Sequence, residues 1–332
     1  MIRYLIRRII WAFALFIVVT LISFVLFFLI PADPAKEACG KACTAPQVAR
    51  VAHYLGTDRP VYTQYGKFLG RLAPISFSGG FHLKSPNLGR SFVNRRDVNT
   101  VVGQAAPETA SLVFGGMVLW MLFAIPIGIL SALRPRSLLD RASMTGVLIG
   151  VSAHPVWIGL ILIYVFAYTF HLFPLGGYAN FFGGSLTQAG GPIEWAKHLV
   201  LPWMTFAFLY TAIYVRMIRS NVMETINEDY VRTARAKGAP ESRVMRSHIL
   251  RNALLPIVTM LGMDVAAALG GAIFTETVFG LNGLGYTSIQ SLQQYDSPTV
   301  MGIIVFATTA IIVMNLLVDL LYAWVDPRIR LT

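Results

Sequence analysis

The sequence predicts an all-α integral membrane protein with six transmembrane helices, and three observations carry that reading. The mean hydropathy is +0.62 over 332 residues. Only 13% of the residues are charged, against about a quarter in an ordinary soluble domain. Those charges gather between long apolar runs, and the basic ones recur on alternate sides of successive runs, as the positive-inside rule demands.

The first apolar run, Ile9 to Ile30, is uncharged for 22 residues, enough at about 1.5 Å per residue to cross a hydrocarbon core of about 30 Å. It is longer than the core of a cleaved signal peptide, and Pro31, Asp33 and Pro34 follow it rather than a small-residue cleavage site. Arg3, Arg7 and Arg8 hold the N-terminus in the cytoplasm. Residues 31–103 then form an extracytoplasmic segment too long for a bare connection. Thr44 and Gln47 read as a capping box for a helix ending before Gly56, and Ser76 to Asn87 is turn-rich. Further spans are expected over Glu108 to Leu133, Ala142 to Phe170, Leu199 to Arg219, Ala253 to Thr275 and Val300 to Tyr322. Arg134, Arg136 and Arg141, the loop around Gly238, and the tail with Arg328 and Arg330 then share the cytoplasmic side. The outer connections carry almost no positive charge. The chain thus divides into a tail and first helix (1–30), the outer segment (31–103), a five-helix core (104–322) with a basic loop at 221–252, and a cytoplasmic tail (323–332). Gly115, Gly116, Gly128, Gly262, Gly270 and Gly271 suit close helix packing.

The net charge of +11 raises a nucleic-acid reading, but the basic residues flank spans and form no continuous stripe interleaved with aromatics. No phosphate-cradling G-x-x-x-x-G-K-[ST] occurs, since Lys67 after Gly66 is followed by Phe68. There is no Cys/His cluster at zinc spacing, no H-E-x-x-H and no G-x-S-x-G. The expectation is therefore no catalytic site, metal or cofactor in this chain, and an energy source on another one.

The segment from Glu228 to Val258 is basic and polar between two apolar stretches. Asn227 is expected to cap a short helix with Glu228 and Asp229 in its first turn and Lys237 in its last, signs that suit the helix dipole. Gly238 ends that helix in a left-handed conformation, and Pro240 opens a second one through Arg243, Arg246 and Arg251. A plain basic loop explains the charges but not the order helix, Gly, Pro, helix.

That order resembles the coupling loop of ATP-binding-cassette (ABC) importer permeases, in the form seen in dipeptide and oligopeptide permeases. The matching residues are Asp229, Tyr230, Arg232, Thr233, Ala234, Ala236, Lys237 and Gly238, then Leu250, Arg251, Asn252, Leu255 and Pro256. MIRYLIRRII, IPADPA with Ala32 in a glycine position, LGTDRP, LGRSF, ETVF with Asn282 in a proline position, and LVDLLYAWVDPRIR extend the likeness nearly end to end. The resemblance implies the type I importer permease fold. It also implies a second homologous permease subunit, two cytoplasmic ATPase subunits that bind ATP and Mg, and an extracytoplasmic substrate-binding protein, with a peptide as substrate. Tyr230, Arg232, Thr233, Ala234, Arg235, Ala236, Lys237 and Gly238 would couple to the ATPase, with small Ala234 and Ala236 seating the helix in its groove. Nickel or metal-chelate importers share much of this motif set and remain an alternative; an ATP-independent channel or secondary transporter leaves the Gly238 loop unexplained.

Ionisable residues inside spans are costly and so are functional candidates. Asp264, mid-way along the fifth span, and His154, beside Pro155 in the third, are candidates for the translocation path, each weighed against a structural role. Glu276 is expected to fix the outer connection after the fifth span. Cys39 and Cys43, the only cysteines, fall outside in an oxidising compartment and are expected to pair.

Overall fold

The structure is a computed structural model and describes residues 2–29, 39, 43–55, 60–72, 75–76, 82–83, 86–183 and 190–325. The IPADPA segment, most of CGKAC, LGTDRP beyond Leu55 apart from Pro60, and the tail with Arg328 and Arg330 lie outside the described residues. Four continuous helices are long and apolar enough to cross a membrane, at Ile6–Phe27, Val98–Leu133, Pro192–Ile226 and Ser297–Leu320. Two bent pairs, Leu138–Ser152 with Pro155–Thr169 and Glu241–Ala253 with Leu255–Leu269, bring the candidates among the described residues to six when each pair is counted as one span.

Helix α1 (Ile2–Phe24) continues into one π-helical stretch, Val25–Leu29. The outer segment holds α2 (Ala45–Leu55) and α3 (Val61–Leu72), followed by a two-residue antiparallel pair, β1 (Ile75–Ser76) and β2 (His82–Leu83), the exception to an all-α chain among the described residues. The capping box at α2 forms, with Gln47 Oε1 accepting from Thr44 N at 2.8 Å. Helix α3 does not stand clear of the membrane segments. Its Phe68 packs with Phe24, Met301 and Val305, and Tyr65 donates its hydroxyl to Ile17 O at 3.1 Å.

Helix α4 (Val98–Leu133) starts ten residues before the expected span. Val98, Val102, Ala105 and Leu112 recur at helical spacing and are all buried, so the apolar stripe carries the helix through Gly103 and Pro107. Its 36 residues make about 54 Å, well over a hydrocarbon core of about 30 Å. The third expected span is broken. Helix α5 (Leu138–Ser152) and helix α6 (Pro155–Leu162), the latter extended by a π-helical stretch to Thr169, meet at 104°. Pro155 forces His154 out of the helical region, to ψ 135, and itself takes the first helical position.

Helix α7 (Pro192–Ile226) is followed by α8 (Asp229–Ala236). The chain then re-enters through α9 (Glu241–Arg243), a π-helical stretch Val244–Leu250 and α10 (Arg251–Ala253), and bends by 43° into α11 (Leu255–Leu269). The expected fifth span ends early, because Gly270 and Gly271 stop α11 and α12 (Ile273–Phe279) begins a separate outer helix. Helices α13 (Leu284–Gln293) and α14 (Ser297–Val325) complete the chain. The core is the packing of α4 along α7, with α5 against α7 and α11 against α14. Gly128 permits the first: a Cβ there would come within 2.8 Å of Ile218.

Candidate functional sites

Helix α8 has two faces. Val231 is fully buried and Ala234 packs on the core, whereas Asp229, Arg232, Thr233 and Ala236, at spacings of three and four, form an exposed stripe. Ala234 therefore turns into its own chain, while Ala236 lies on the open side. The cap differs by one residue from expectation. Helix α7 runs on through Ile226, so Asn227 closes it, donating Nδ2 to Met223 O at 2.9 Å. Glu228 instead begins α8, its carbonyl accepting from Val231 N and Arg232 N.

At the far end Gly238 has φ +78, the left-handed conformation expected of it. Ala239 N donates to Ala234 O at 3.2 Å and Gly238 N to Arg235 O at 2.9 Å, the paired bonds of a Schellman motif. Arg235 then spans this turn with two hydrogen bonds to Glu241, at 2.7 and 3.2 Å. That carboxylate raises the Arg235 guanidinium above its ordinary value. Tyr230 Oη accepts from Asn252 Nδ2 at 2.9 Å and so ties the start of α8 to α10. Thr233 donates back to Asp229 O, and Arg232 and Lys237 stay exposed. The angle at which α8 leaves the core is fixed by a buried valine, a glycine turn and two exposed cross-links.

Above α8, Asp140 is buried and receives Arg219 at 2.6 and 2.9 Å together with the backbone N–H of Arg136 at 2.8 Å. This joins the loop before α5 to α7 across 79 residues of sequence.

At mid-height, Asp264 is half-buried and its Oδ2 accepts from Tyr214 Oη at 2.7 Å. Tyr214 belongs to an aromatic cluster with Trp120, Phe206 and Tyr210, in which Trp120 stacks on Tyr210 at 4.6 Å. Asp264 shares one edge of α11 with exposed Pro256, Met263 and Ala267. His154 is exposed at the bend, caps α6 through Nδ1 and lies edge-on to Phe274 at 4.8 Å. No hydrogen bond among the described residues brings His154 and Asp264 together.

On α12, Glu276 is completely buried and accepts from Thr109 Oγ1 at 2.8 Å, Tyr286 N at 2.8 Å and Ala272 N at 3.2 Å. Thr109 in turn accepts from Leu284 N at 2.7 Å, and Glu108 Oε2 accepts from Asn282 N at 2.8 Å. Gly283 is required here, since a Cβ would come within 2.5 Å of the Glu276 carboxyl carbon. A second knot forms around buried Asp296, which accepts from Ser91 Oγ, Phe92 N and Thr299 Oγ1 and so anchors the LGRSF segment to the start of α14. Cys39 and Cys43 are joined as a disulfide, with Cα atoms 5.9 Å apart.

Compared with known proteins, residues 124–331 match the family described as binding-protein-dependent transport system inner membrane component, and residues 1–113 match its N-terminal companion. The chain belongs to this family. A relative in Escherichia coli named as a probable D,D-dipeptide transport system permease protein is 35% identical, over 98% of this chain and 97% of its own. A di/tripeptide transport system permease protein of Pseudomonas aeruginosa is also 35% identical, over 99% of each. Among solved structures, a chain of the MetNI methionine ABC transporter in inward-facing conformations aligns with a TM-score of 0.51 at 16% identity, covering 68% of this chain and 97% of that one. That likeness concerns the fold alone.

The order of helix, Gly238, Pro240 and helix is legible in the sequence, whereas the roles of Asp140, Arg219, Tyr214, Thr109, Ser91 and Asp296 are not. Their side-chain partners on other elements lie 50 to 205 residues away, beside local bonds such as Arg136 N to Asp140 and Thr299 Oγ1 to Asp296. Local signals are Asp296 ahead of Ser297 and Pro298, a helix-start pattern, and Ser137 three residues before Asp140, a capping spacing that forms in the structure.

Proposed function

We infer that this chain is the permease subunit of an ATP-driven, binding-protein-dependent importer of short peptides. The observation that carries the reading is the exposed stripe of α8 ahead of the Gly238 turn, a rigidly aimed helix whose outer face has no partner on another element among the described residues. The peptide substrate is supported by full-length relatives named for dipeptide and tripeptide transport. The complete transporter in this reading has a second homologous permease, two cytoplasmic ATPase subunits and an extracytoplasmic binding protein, with both termini and α8 in the cytoplasm. ATP hydrolysis occurs on the partner subunits, and closure of those subunits pushes α8, which rocks the core between inward- and outward-facing forms.

Asp264 lines the path in this account. A carboxylate facing lipid at mid-membrane costs at least about 2.5 kcal/mol, and Asp264 is only half-covered by its own chain. The edge of α11 that bears it therefore faces water or the second permease. Tyr214 holds one carboxylate oxygen, fixing its direction. The test is uptake of labelled dipeptide by the reconstituted transporter. Dependence on ATP and binding protein, with Asp264→Asn assembling normally but importing slowly, is the expected result. Uptake without ATPase subunits would refute the importer, and wild-type uptake by Asp264→Asn would reduce this residue to packing.

A further inference from the structure

Four non-glycine residues hold a left-handed conformation among the described residues, and two of them, Arg95 at φ +54 and Tyr295 at φ +56, flank one buried knot. Asp296 is its centre, accepting from Ser91 Oγ at 2.6 Å and from Phe92 N at 2.8 Å. On one side a tight loop leaves Ser91 and returns at Arg96, whose carbonyl accepts from Ser91 N at 2.9 Å, with Arg95 just before that closing bond. On the other side Tyr295 ends α13. Asp296 N donates to Ser291 O at 2.8 Å and Tyr295 N to Leu292 O at 3.2 Å, so Tyr295 fills the left-handed position of a Schellman motif that glycine usually takes.

A side chain at either position strains the backbone, because its Cβ crowds the next carbonyl, and glycine would make either turn without that cost. The fold makes little use of what the strain holds in place. Tyr295 is 65% exposed. Arg95 and Arg96 are exposed too, and their guanidinium groups make no hydrogen bond or ion pair among the described residues. Strained residues of this kind gather where a protein meets a ligand or a partner.

Charge and height identify the partner. Residues 31–103 carry ten Lys and Arg against four Asp and Glu, an excess that the positive-inside rule does not ask of an extracytoplasmic segment. The acid that follows Arg96, Asp97, is already matched by Arg90 at 3.0 Å. With Arg134 at the cytoplasmic headgroups, the 36 residues of α4 rise about 50 Å even at a tilt of about 20°. A bilayer with its headgroups is about 40–45 Å thick, so the loop leaves α4 beyond the far headgroups. Arginines and a tyrosine on a rigid mount in water suit a protein surface that offers carboxylates, the tyrosine as anchor and the arginines for register. The matched family is described as binding-protein-dependent.

We propose that Arg95, Arg96 and Tyr295 form a docking surface for the extracytoplasmic binding protein, which meets it with an acidic patch. The proposal rests on the importer and the topology inferred above. Asp296 ties both strained turns to one point, so the two contacts keep a fixed spacing.

The test is the affinity of the whole transporter, in lipid nanodiscs, for its purified binding protein over a range of salt concentrations, beside the unfolding midpoint of each variant. Arg95→Glu with Arg96→Glu should weaken association at least about tenfold and flatten its salt dependence. Arg95→Gly and Tyr295→Gly separate docking from folding. Each removes a contact and relieves strain, so association should weaken while the midpoint holds or rises. Unchanged affinity in all of these variants, or a midpoint that falls in step with affinity in both glycine variants, would overturn the proposal. Were the wild type to bind no binding protein at any salt, the importer reading would fall with it; equal binding by wild type and variants overturns the docking surface alone.

Discussion

The two ends of the molecule are built on opposite terms. At one end Glu276 and Asp296 are buried and each accepts three hydrogen bonds, which lock α4, α12, α13 and α14 and the Ser91 segment together. On the inner side α8 buries Val231 and leaves its polar stripe open, with only exposed cross-links such as Arg235 to Glu241. The outer end is over-determined, as suits a frame. The α8 end is aimed but left uncovered by the described residues, as suits a surface completed by another chain.

The contrast breaks first at Glu276. Removing that carboxylate strands Thr109 Oγ1, Ala272 N and Tyr286 N in a buried site. At about 1–3 kcal/mol per buried donor, Glu276→Ala should destabilise by about 3 kcal/mol or more, read as a lower unfolding midpoint of the solubilised subunit. A midpoint within a degree of wild type would mean the outer frame is not what holds this end.

Next comes Asp140→Leu, which leaves Arg219 without its partner and should cost about 2–4 kcal/mol. Adding Arg219→Leu should restore part of the loss, because the stranded cation rather than the missing pair is the penalty; a strictly additive double variant would argue otherwise.

A smaller change is expected at the disulfide. Replacing Cys39 and Cys43 with Ser opens a loop of very few residues, worth at most about 2 kcal/mol in the chain-entropy model, so uptake should persist with a modest loss of heat stability. Finding both thiols free in the mature protein would remove the cross-link from the account altogether.

The least effect on stability belongs to Arg235→Ala, since exposed ion pairs contribute little. Any loss there should appear in ATPase coupling rather than in the unfolding midpoint. The reverse pattern would make the pair a structural clasp.

The inner end was far more legible in sequence than the outer one, for a physical reason. The turn after α8 is local: Gly238, Pro240 and the charge signs lie within a dozen residues, and each has a backbone consequence. Even there the cap slipped by one, because Asn227 serves whichever helix end reaches it, and α7 reached it first. Ala234 was assigned to the wrong face because small size does not say which side of a helix is buried. The outer knots join residues up to 205 apart, beyond any periodicity argument. The His154–Pro155 step announced a break, but its 104° depends on how α6 packs against α7 and α12.

The central claim is that α8 acts as a rigid lever on the ATPase, and Gly238→Val tests it most directly. A β-branched residue at φ +78 costs about 1–2 kcal/mol locally and has open space around it, so the membrane core should remain folded. The measurement is peptide-stimulated ATP hydrolysis by the reconstituted transporter, beside uptake and subunit copurification. The account predicts normal insertion with lost ATPase association or lost stimulation of hydrolysis. Wild-type uptake with fully coupled hydrolysis in Gly238→Val would contradict it.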